Sequence, residues 1–114
     1  AMTSEDLLRK YLYENGFLIL REKLVKDKGR IYSIILAVYD GIPKNVSASS
    51  LILGEKNIEN PDAELFEAYA DRKIRILNKT IAQLEKNNMP CDDKKRLAKE
   101  LEQIKLQCLN SLNK

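Results

Sequence analysis

The sequence from residue 60 to residue 87 reads NPDAELFEAYADRKIRILNKTIAQLEKN, and it predicts one long helix. Asn60 can accept hydrogen bonds from the free amides of the first turn, and Pro61 suits a position that needs no amide partner. Apolar residues then recur at steps of four and three, which is the spacing of a coiled-coil seam. The seam residues are Phe66, Ala70, Ile74, Leu77, Ile81 and Leu84. One helix cannot bury such a seam alone, so the pattern predicts a partner helix.

The partner helix is predicted to follow a break at residues 87–90 and to begin at Cys91 or Asp92. Its apolar residues again recur at steps of four and three. They are Leu97, Leu101, Ile104, Cys108 and Leu112. Two seams joined by a short break predict an antiparallel helical hairpin over residues 60–114, in the form of a two-helix coiled coil.

A shorter helix and a β-hairpin are predicted ahead of these helices. Thr3 or Ser4 caps the first helix, with Asp6 placed to complete a capping box, and Asn15-Gly16 ends it. Residues 17–25 and 31–39 are expected to pair as antiparallel strands around a turn at residues 26–29. The expected apolar face of the helix consists of Leu7, Leu8, Tyr11 and Leu12.

The second predicted strand is apolar along almost its whole length, reading IYSIILAVY from residue 31 to residue 39. Such a strand is typical of a sheet that is covered on both faces, and a two-stranded sheet is marginally stable by itself. We therefore expect the hairpin to have a further neighbour, and an open strand edge where that neighbour is missing. The predicted fold class is α+β. Residues 2–43 form the end of an α/β domain, 44–59 a linker beginning with a loop, and 60–114 the helical hairpin.

The composition indicates which chemistries the chain lacks. Histidine is absent, which excludes histidine-based acid–base catalysis, the usual nucleophilic triads and most transition-metal sites. The four glycines are scattered and form no phosphate-binding loop. A net charge of +3 is too small to identify a nucleic-acid binder by itself. These residues therefore contain no recognisable catalytic apparatus.

The two cysteines make no disulfide framework and follow no secretory leader, so they predict a reducing, cytosolic compartment. Cys108 falls on the helical seam and is interpreted as a core residue, whereas a reactive thiol at Cys91 is the less favoured alternative. No apolar run is long enough to cross a membrane. Ala1 before Met2 is interpreted as a residue left by tag removal.

Basic residues crowd the long helix and the start of its partner, which favours contact with the phosphate backbone of a nucleic acid. The candidate contact residues are Arg72, Lys73, Arg75, Lys79, Lys86, Lys94, Lys95 and Arg96. Acidic residues such as Glu67, Asp71 and Glu85 dilute this charge. On spacing alone, an ordinary solvated face therefore outweighs the interpretation as a nucleic-acid surface.

Several short motifs resemble one known family. They are LLRKYLYENGF at residues 7–17, GRIY at 29–32, LILG at 51–54, and Asn60-Pro61. They resemble bacterial tRNA adenine-N1 methyltransferases of the TrmK type. The first two motifs match the end of the methyltransferase domain, and the last two match the entry into its C-terminal coiled coil. The resemblance covers nearly all of this chain and only the second half of a family member.

The resemblance implies a parent protein that transfers a methyl group from S-adenosylmethionine to N1 of an adenine in tRNA. It implies a Rossmann-like sheet, whose last strand runs antiparallel between two neighbours, and a helical hairpin that helps to hold tRNA. The Gly-rich cofactor turn, the acidic ribose contact and the catalytic motif all belong to the family's N-terminal half. No catalytic or cofactor-binding residue is therefore assigned here, and no cofactor is expected in this chain alone.

Three functions follow as hypotheses. The favoured one is a helical hairpin that positions tRNA and is not catalytic in isolation. The alternative is a self-associating module without nucleic-acid binding, which forms a homo-oligomer through the exposed strand edge or the helical seams. A winged-helix DNA binder ranks lowest, because the helices that would precede the recognition helix are absent from the sequence.

Overall fold

The structure is a computed structural model, and it describes residues 3–113. Within that range the protein is α+β, with a two-stranded antiparallel sheet and five helices. The elements are α1 (Ser4–Glu14), β1 (Phe17–Asp27), β2 (Arg30–Tyr39), α2 (Ala48–Leu53), α3 (Glu55–Glu59), α4 (Phe66–Lys86) and α5 (Asp92–Leu112). The predictions made for Ala1, Met2 and Lys114 fall outside the described residues.

Helix α1 begins as predicted, but its buried face is not the predicted one. The Asp6 amide donates to the Thr3 hydroxyl, and the Thr3 amide donates to the Asp6 carboxylate, which is the expected capping box. The buried residues, however, are Asp6, Arg9 and Tyr13, whereas Leu7, Leu8 and Tyr11 are about half exposed. The prediction of an apolar core face on this helix is wrong, because a network of buried charged groups takes that place.

The β-hairpin is longer than predicted, and its turn is tighter. Asp27 pairs with Arg30, so only Lys28 and Gly29 form the connection. Both residues have positive φ, at 51° and 77°, which is the geometry of a type I′ turn. This turn follows the right-handed twist of the strands, so the pairing continues to the end of the hairpin.

Strand β2 is covered on one face only within the described residues. Its burial alternates along the strand, and four apolar side chains of the outer face are 41% to 57% exposed. They are Tyr32, Ile34, Leu36 and Val38. Among residues 3–113 the apolar run is therefore covered on one face only. The expectation of a further neighbour for the sheet stays a prediction.

Residues 44–59 are more structured than the predicted linker and loop. Ser47 caps α2 by accepting a hydrogen bond from the Ser50 amide, and Leu53 at the end of α2 is fully buried. In α3, the Asn57 side chain donates to the Leu53 carbonyl. The loop interpretation of residues 44–50 is wrong from Ala48 onwards, because this apolar turn packs into the core. The division into domains stays a prediction.

The long helix α4 begins at Phe66 rather than at Asn60. The Asp62 carboxylate accepts hydrogen bonds from the amides of Glu64 and Leu65, so it caps the turn before the helix. The prediction that Asn60 caps this helix and that Pro61 lies in its first turn is therefore wrong. Asn60 and Pro61 lie before the helix, and the Asp62 side chain accepts the amide hydrogen bonds instead.

Helices α4 and α5 form an antiparallel pair. Lys105 contacts Asp71 at 2.7 Å and Lys95 contacts Glu85 at 2.8 Å, so the helices run in opposite directions. The main core lies between them and against α2 and β1. It contains Leu24, Leu53, Phe66, Tyr69, Ala70, Ile74, Leu77, Ile81, Cys91, Leu101 and Cys108. Most seam residues are thus buried or packed on the core, whereas the coiled-coil geometry itself stays a prediction.

Candidate nucleic-acid interface

The predicted basic residues, with one exception, lie at the surface of the helical hairpin. Arg72 is half-buried, and the other six are exposed. Those six are Arg75, Lys79, Lys86, Lys94, Lys95 and Arg96. Four of the seven surface cations belong to α4 and three to the first turn and a half of α5. The structure thus places cations along most of α4 and at the start of α5.

The exception is Lys73, which is only 4% exposed. Its ammonium lies 2.9 Å from the Asp6 carboxylate and 2.6 Å from the Thr3 hydroxyl, and it also lies over the Tyr69 ring. Glu5 adds a second carboxylate at 3.5 Å. The expectation that Lys73 contributes to a surface for nucleic acid is wrong, because its charge is used to hold α4 against α1.

Two cations near the break between the helices are ion-paired. Lys95 donates to Glu85, and this hydrogen bond raises the pKa of Lys95. Arg96 pairs with Asp93 one turn earlier on the same helix. Exposed pairs of this kind are weak, and they leave both side chains free to exchange partners. These two residues nevertheless offer less uncompensated charge than the cations of α4.

A buried network around Arg9 joins α1 to three other elements. The fully buried guanidinium donates to Glu22 of β1 at 2.7 Å, to the Tyr69 hydroxyl of α4 at 2.9 Å, and to two carbonyls. The carbonyls are those of Leu51 and Ile52 in α2. Burial acts to lower the pKa of Arg9, but Tyr69 and Glu22 raise it, so this cation stays charged. The network sets the position of the β-hairpin relative to α4.

That placement creates a basic cleft between the turn of the β-hairpin and the start of α4. Its volume is about 300 Å³, and four of its seven lining residues are cations: Lys26, Arg30, Arg72 and Arg75. We call it the turn cleft. No carboxylate lines it. Across residues 3–113, none of the four cations makes an ion pair.

Lys26 and Arg30 are not among the contact residues predicted from the sequence. They flank the tight turn, and more than 40 residues separate them from Arg72 and Arg75 along the chain. Clustering of basic residues within α4 could be seen in the sequence, whereas proximity to the β-hairpin depends on how the two elements pack. The only available signal was the basic character of the turn itself, LVKDKGR at residues 24–30.

The thiols and acidic groups form no second site in the described part of the chain. Cys91 and Cys108 are free and buried. The Cys108 thiol donates to the Ile58 carbonyl at 3.6 Å, and burial raises its pKa, which is the opposite of what a nucleophile needs. From residue 3 to residue 113, no three Cys, Asp or Glu side chains group as metal ligands would. No helix in this range is long and apolar enough to span a membrane.

The residues present do not fit S-adenosylmethionine. This cofactor carries a positive sulfonium, which the four cations of the turn cleft would repel. The residues that join the strands to the helices also include no Gly-rich strand–helix turn that could cradle it. No step of methyl transfer is therefore assigned to residues 3–113.

A family model described as TrmK, tRNA (adenine(22)-N(1))-methyltransferase, matches residues 1–106. This match covers most of the chain. No curated protein matches the chain. Several solved structures match the chain.

The chain is similar to a Streptococcus pneumoniae candidate tRNA (m1A22) methyltransferase in complex with S-adenosyl-L-methionine, at 19% identity and a TM-score of 0.59. That match covers 94% of this chain and 44% of the other. A Streptococcus agalactiae protein of the NADB-Rossmann superfamily matches at 22% identity and a TM-score of 0.59, covering 93% and 44%. An uncharacterised Listeria monocytogenes protein matches at 18% and 0.58, covering 97% and 47%. At these identities the shared property is the fold, and the chain spans less than half the length of each structure.

Proposed function

The chain belongs to the family of tRNA (adenine(22)-N(1))-methyltransferases, and from this premise we propose that its helical hairpin positions tRNA. The observation that carries the proposal is the row of exposed cations on α4, continued at the start of α5. Phosphate contacts supply most of the affinity of proteins for nucleic acids, and they need cations at the surface. The surface cations of the hairpin are Arg72, Arg75, Lys79, Lys86, Lys94, Lys95 and Arg96.

In this proposal the chain binds and orients RNA without performing the chemistry. S-adenosylmethionine, where it is bound in such enzymes, supplies an electrophilic methyl group. Residues 3–113 contribute the rigid base that sets the angle of the hairpin, through the buried contacts of Arg9 and Lys73. A tRNA substrate places the protein in the cytoplasm. Methyl transfer then requires residues that this chain does not contain.

The experiment measures tRNA binding by fluorescence anisotropy as the salt concentration is raised. The wild-type chain is expected to bind at low salt and to lose affinity steeply, because each phosphate contact releases counterions. Arg75→Gln/Lys79→Gln/Lys86→Gln is expected to bind more weakly, with a shallower salt dependence. The control variant Lys10→Gln/Arg21→Gln/Lys23→Gln removes the same charge from exposed positions outside the helical hairpin. An equal loss in both variants, or no binding by the wild-type chain at low salt, contradicts the proposal.

A second candidate function is self-association through the outer face of the sheet, with a second copy of the chain as the occupant. The observation that favours it is the row of exposed apolar side chains on β2, which Leu18 of β1 extends. Contiguous apolar surface of this kind marks interaction sites. A chain that dimerises through this face and binds no tRNA at low salt would support this candidate over the first.

A further inference from the structure

We propose that the turn cleft, formed by Lys26, Arg30, Arg72 and Arg75, binds the sugar-phosphate backbone of an RNA strand. This inference rests on the proposed function and names a specific contact site for it. The cleft combines the hairpin turn with α4, so it extends the RNA-binding surface beyond the helical hairpin. Neither the motifs of the sequence nor the family match assigns a role to Lys26 or Arg30.

The cations of the turn cleft have no carboxylate partners. Asp71 of α4 does not line the cleft, and its carboxylate is paired with Lys105 at 2.7 Å. Glu5 accepts hydrogen bonds from the Tyr69 hydroxyl and the Ser33 amide, and it also lies 3.5 Å from Lys73. Asp27 lies on the turn but does not line the cleft. Four cations therefore face one volume, and their mutual repulsion is relieved by an anion.

The hydrogen-bond donors of the turn cleft are of a kind that binds phosphate. Three of the four cations come from Arg30, Arg72 and Arg75, whose planar guanidinium groups bind phosphate with two parallel hydrogen bonds. Arg72 and Arg75 are three residues apart, so their side chains project from neighbouring positions of one helix face. Lys26 adds a flexible point charge from the opposite wall. This donor set is suited to a phosphodiester.

The shape of the surface also suits an RNA strand. A neighbouring groove of about 170 Å³ shares Arg30, Ile31 and Arg72 with the turn cleft and continues past the Glu5 carboxylate to Tyr32. The two grooves together form an open track rather than an enclosed pocket, which fits a polymer better than a free phosphate.

The test compares two double variants of the whole chain. Arg30→Gln/Arg72→Gln removes two cations of the turn cleft, and Arg21→Gln/Lys23→Gln removes two exposed cations from β1 of the same hairpin. We expect the cleft variant to bind tRNA roughly tenfold or more weakly near 0.1 M salt, and its salt slope to fall by about 1.5 to 2. The β1 variant should keep the affinity and slope of the wild-type chain. Equal thermal unfolding of all three chains shows that folding is unaffected.

A charge-retaining variant and a small anion separate the remaining outcomes. Arg30→Lys/Arg72→Lys should keep most of the salt slope while losing affinity, because Lys lacks the two-pronged geometry. If the cleft variant binds tRNA as the wild-type chain does, the inference is wrong and the proposed function stands. If the wild-type chain binds no tRNA, the proposed function fails, and the inference with it. If tripolyphosphate binds to the cleft while tRNA does not, the site is one for small anions and the inference is likewise overturned.

Discussion

At the residue scale, buried charged side chains replace apolar contacts on the core face of α1. Asp6, Arg9 and Lys73 are almost completely buried, and each has partners of opposite charge. Removing ions from water costs several kcal/mol each, so such groups persist only when their hydrogen bonds are satisfied. No buried side-chain nitrogen or oxygen among residues 3–113 lacks a partner. The network therefore specifies how α1, the β-hairpin and α4 fit together.

Lys73→Met should destabilise the fold strongly. The change removes the nearer of the two cations of the buried Asp6 carboxylate and leaves only Arg9, at 3.8 Å. Breaking a buried pair from one side typically costs about 3–5 kcal/mol. Lys79→Met, an exposed position on the same helix, should change the free energy of unfolding by less than about 0.5 kcal/mol. Urea unfolding measures both. Similar small effects in the two variants would show that Lys73 is not a structural cation.

Gly54→Ala should disturb the same network from another side. Gly54 has a φ of 90°, and a Cβ atom there would lie 2.5 Å from the Glu22 carboxylate, which holds Arg9. Gly29→Ala is a matched control, because Gly29 also has positive φ but has open space around it. The control should lose about 1–2 kcal/mol from backbone strain alone. Gly54→Ala should lose more in thermal or urea unfolding, and equal losses would rule out the steric contribution.

Tyr13 should make stability depend on alkaline pH. Burial raises the pKa of Tyr13 from 10.0 to about 12, and the carboxylates of Glu55 and Glu22 act in the same direction. The unfolded chain therefore releases this proton first, so the contribution is present below pH 10 and is lost as the pH rises towards 12. Tyr13→Phe should show a shallower loss of stability across that interval, as measured by urea unfolding at each pH. Identical pH dependence in the two chains would contradict this assignment.

At the element scale, the antiparallel pair of α4 and α5 depends on few fully buried residues of α5. Leu101 is fully buried, and Cys108 is the next most buried residue of this helix. The remaining seam residues of α5 are only partly covered, so the helix is held by a narrow strip. The strip faces α4, and the basic surface of the hairpin keeps its shape only while the strip is intact.

Leu101→Ala should therefore loosen the helical hairpin. A large-to-small change at a fully buried leucine typically costs about 2–5 kcal/mol, because it removes contacts and leaves a cavity. Leu106→Ala on the same helix is the control, since Leu106 is 56% exposed and should lose little. Circular dichroism measures the melting temperature of both variants. If the two variants melt at the same temperature, α5 does not depend on this seam contact.

At the scale of the whole molecule, the charged network and the exposed apolar face are two consequences of one arrangement. The polar face of α1 is buried against β1 and α4, so its apolar residues Leu7 and Leu8 are directed outwards. The outer face of β2 is apolar and exposed as well. Contiguous apolar surface of this kind marks interaction sites, which is why self-association through this face is the second function that we propose.

Ile34→Lys should reduce self-association of the chain. Ile34 is 57% exposed on the outer face of β2, and a charge placed there opposes burial against a second copy. Leu106→Lys removes an equally exposed apolar residue from α5 and should leave association unchanged. Light scattering over a range of protein concentrations gives the mass of each chain. A monomeric wild-type chain at high concentration would exclude self-association through this face.

The local features could be predicted from the sequence, because each depends on residues that are neighbours along the chain. The capping box of α1, the end of this helix near Gly16, and the antiparallel pairing of the two strands are all confirmed. The apolar steps of α4 correctly predict that Phe66, Ala70 and Ile74 are buried. The family was also recognisable from short motifs, and its model matches residues 1–106.

Tertiary packing sets which charged residues are buried and which cations share a cleft, and neither could be predicted from the sequence. Lys73 and Arg75 look alike in the sequence, yet one is buried against Asp6 and the other lines the turn cleft. Lys26 meets α4 only because the Arg9 network sets the angle of the β-hairpin. The free energy of a charge depends on the partners and solvent around it in space, and the spacing of residues along one helix does not specify those surroundings.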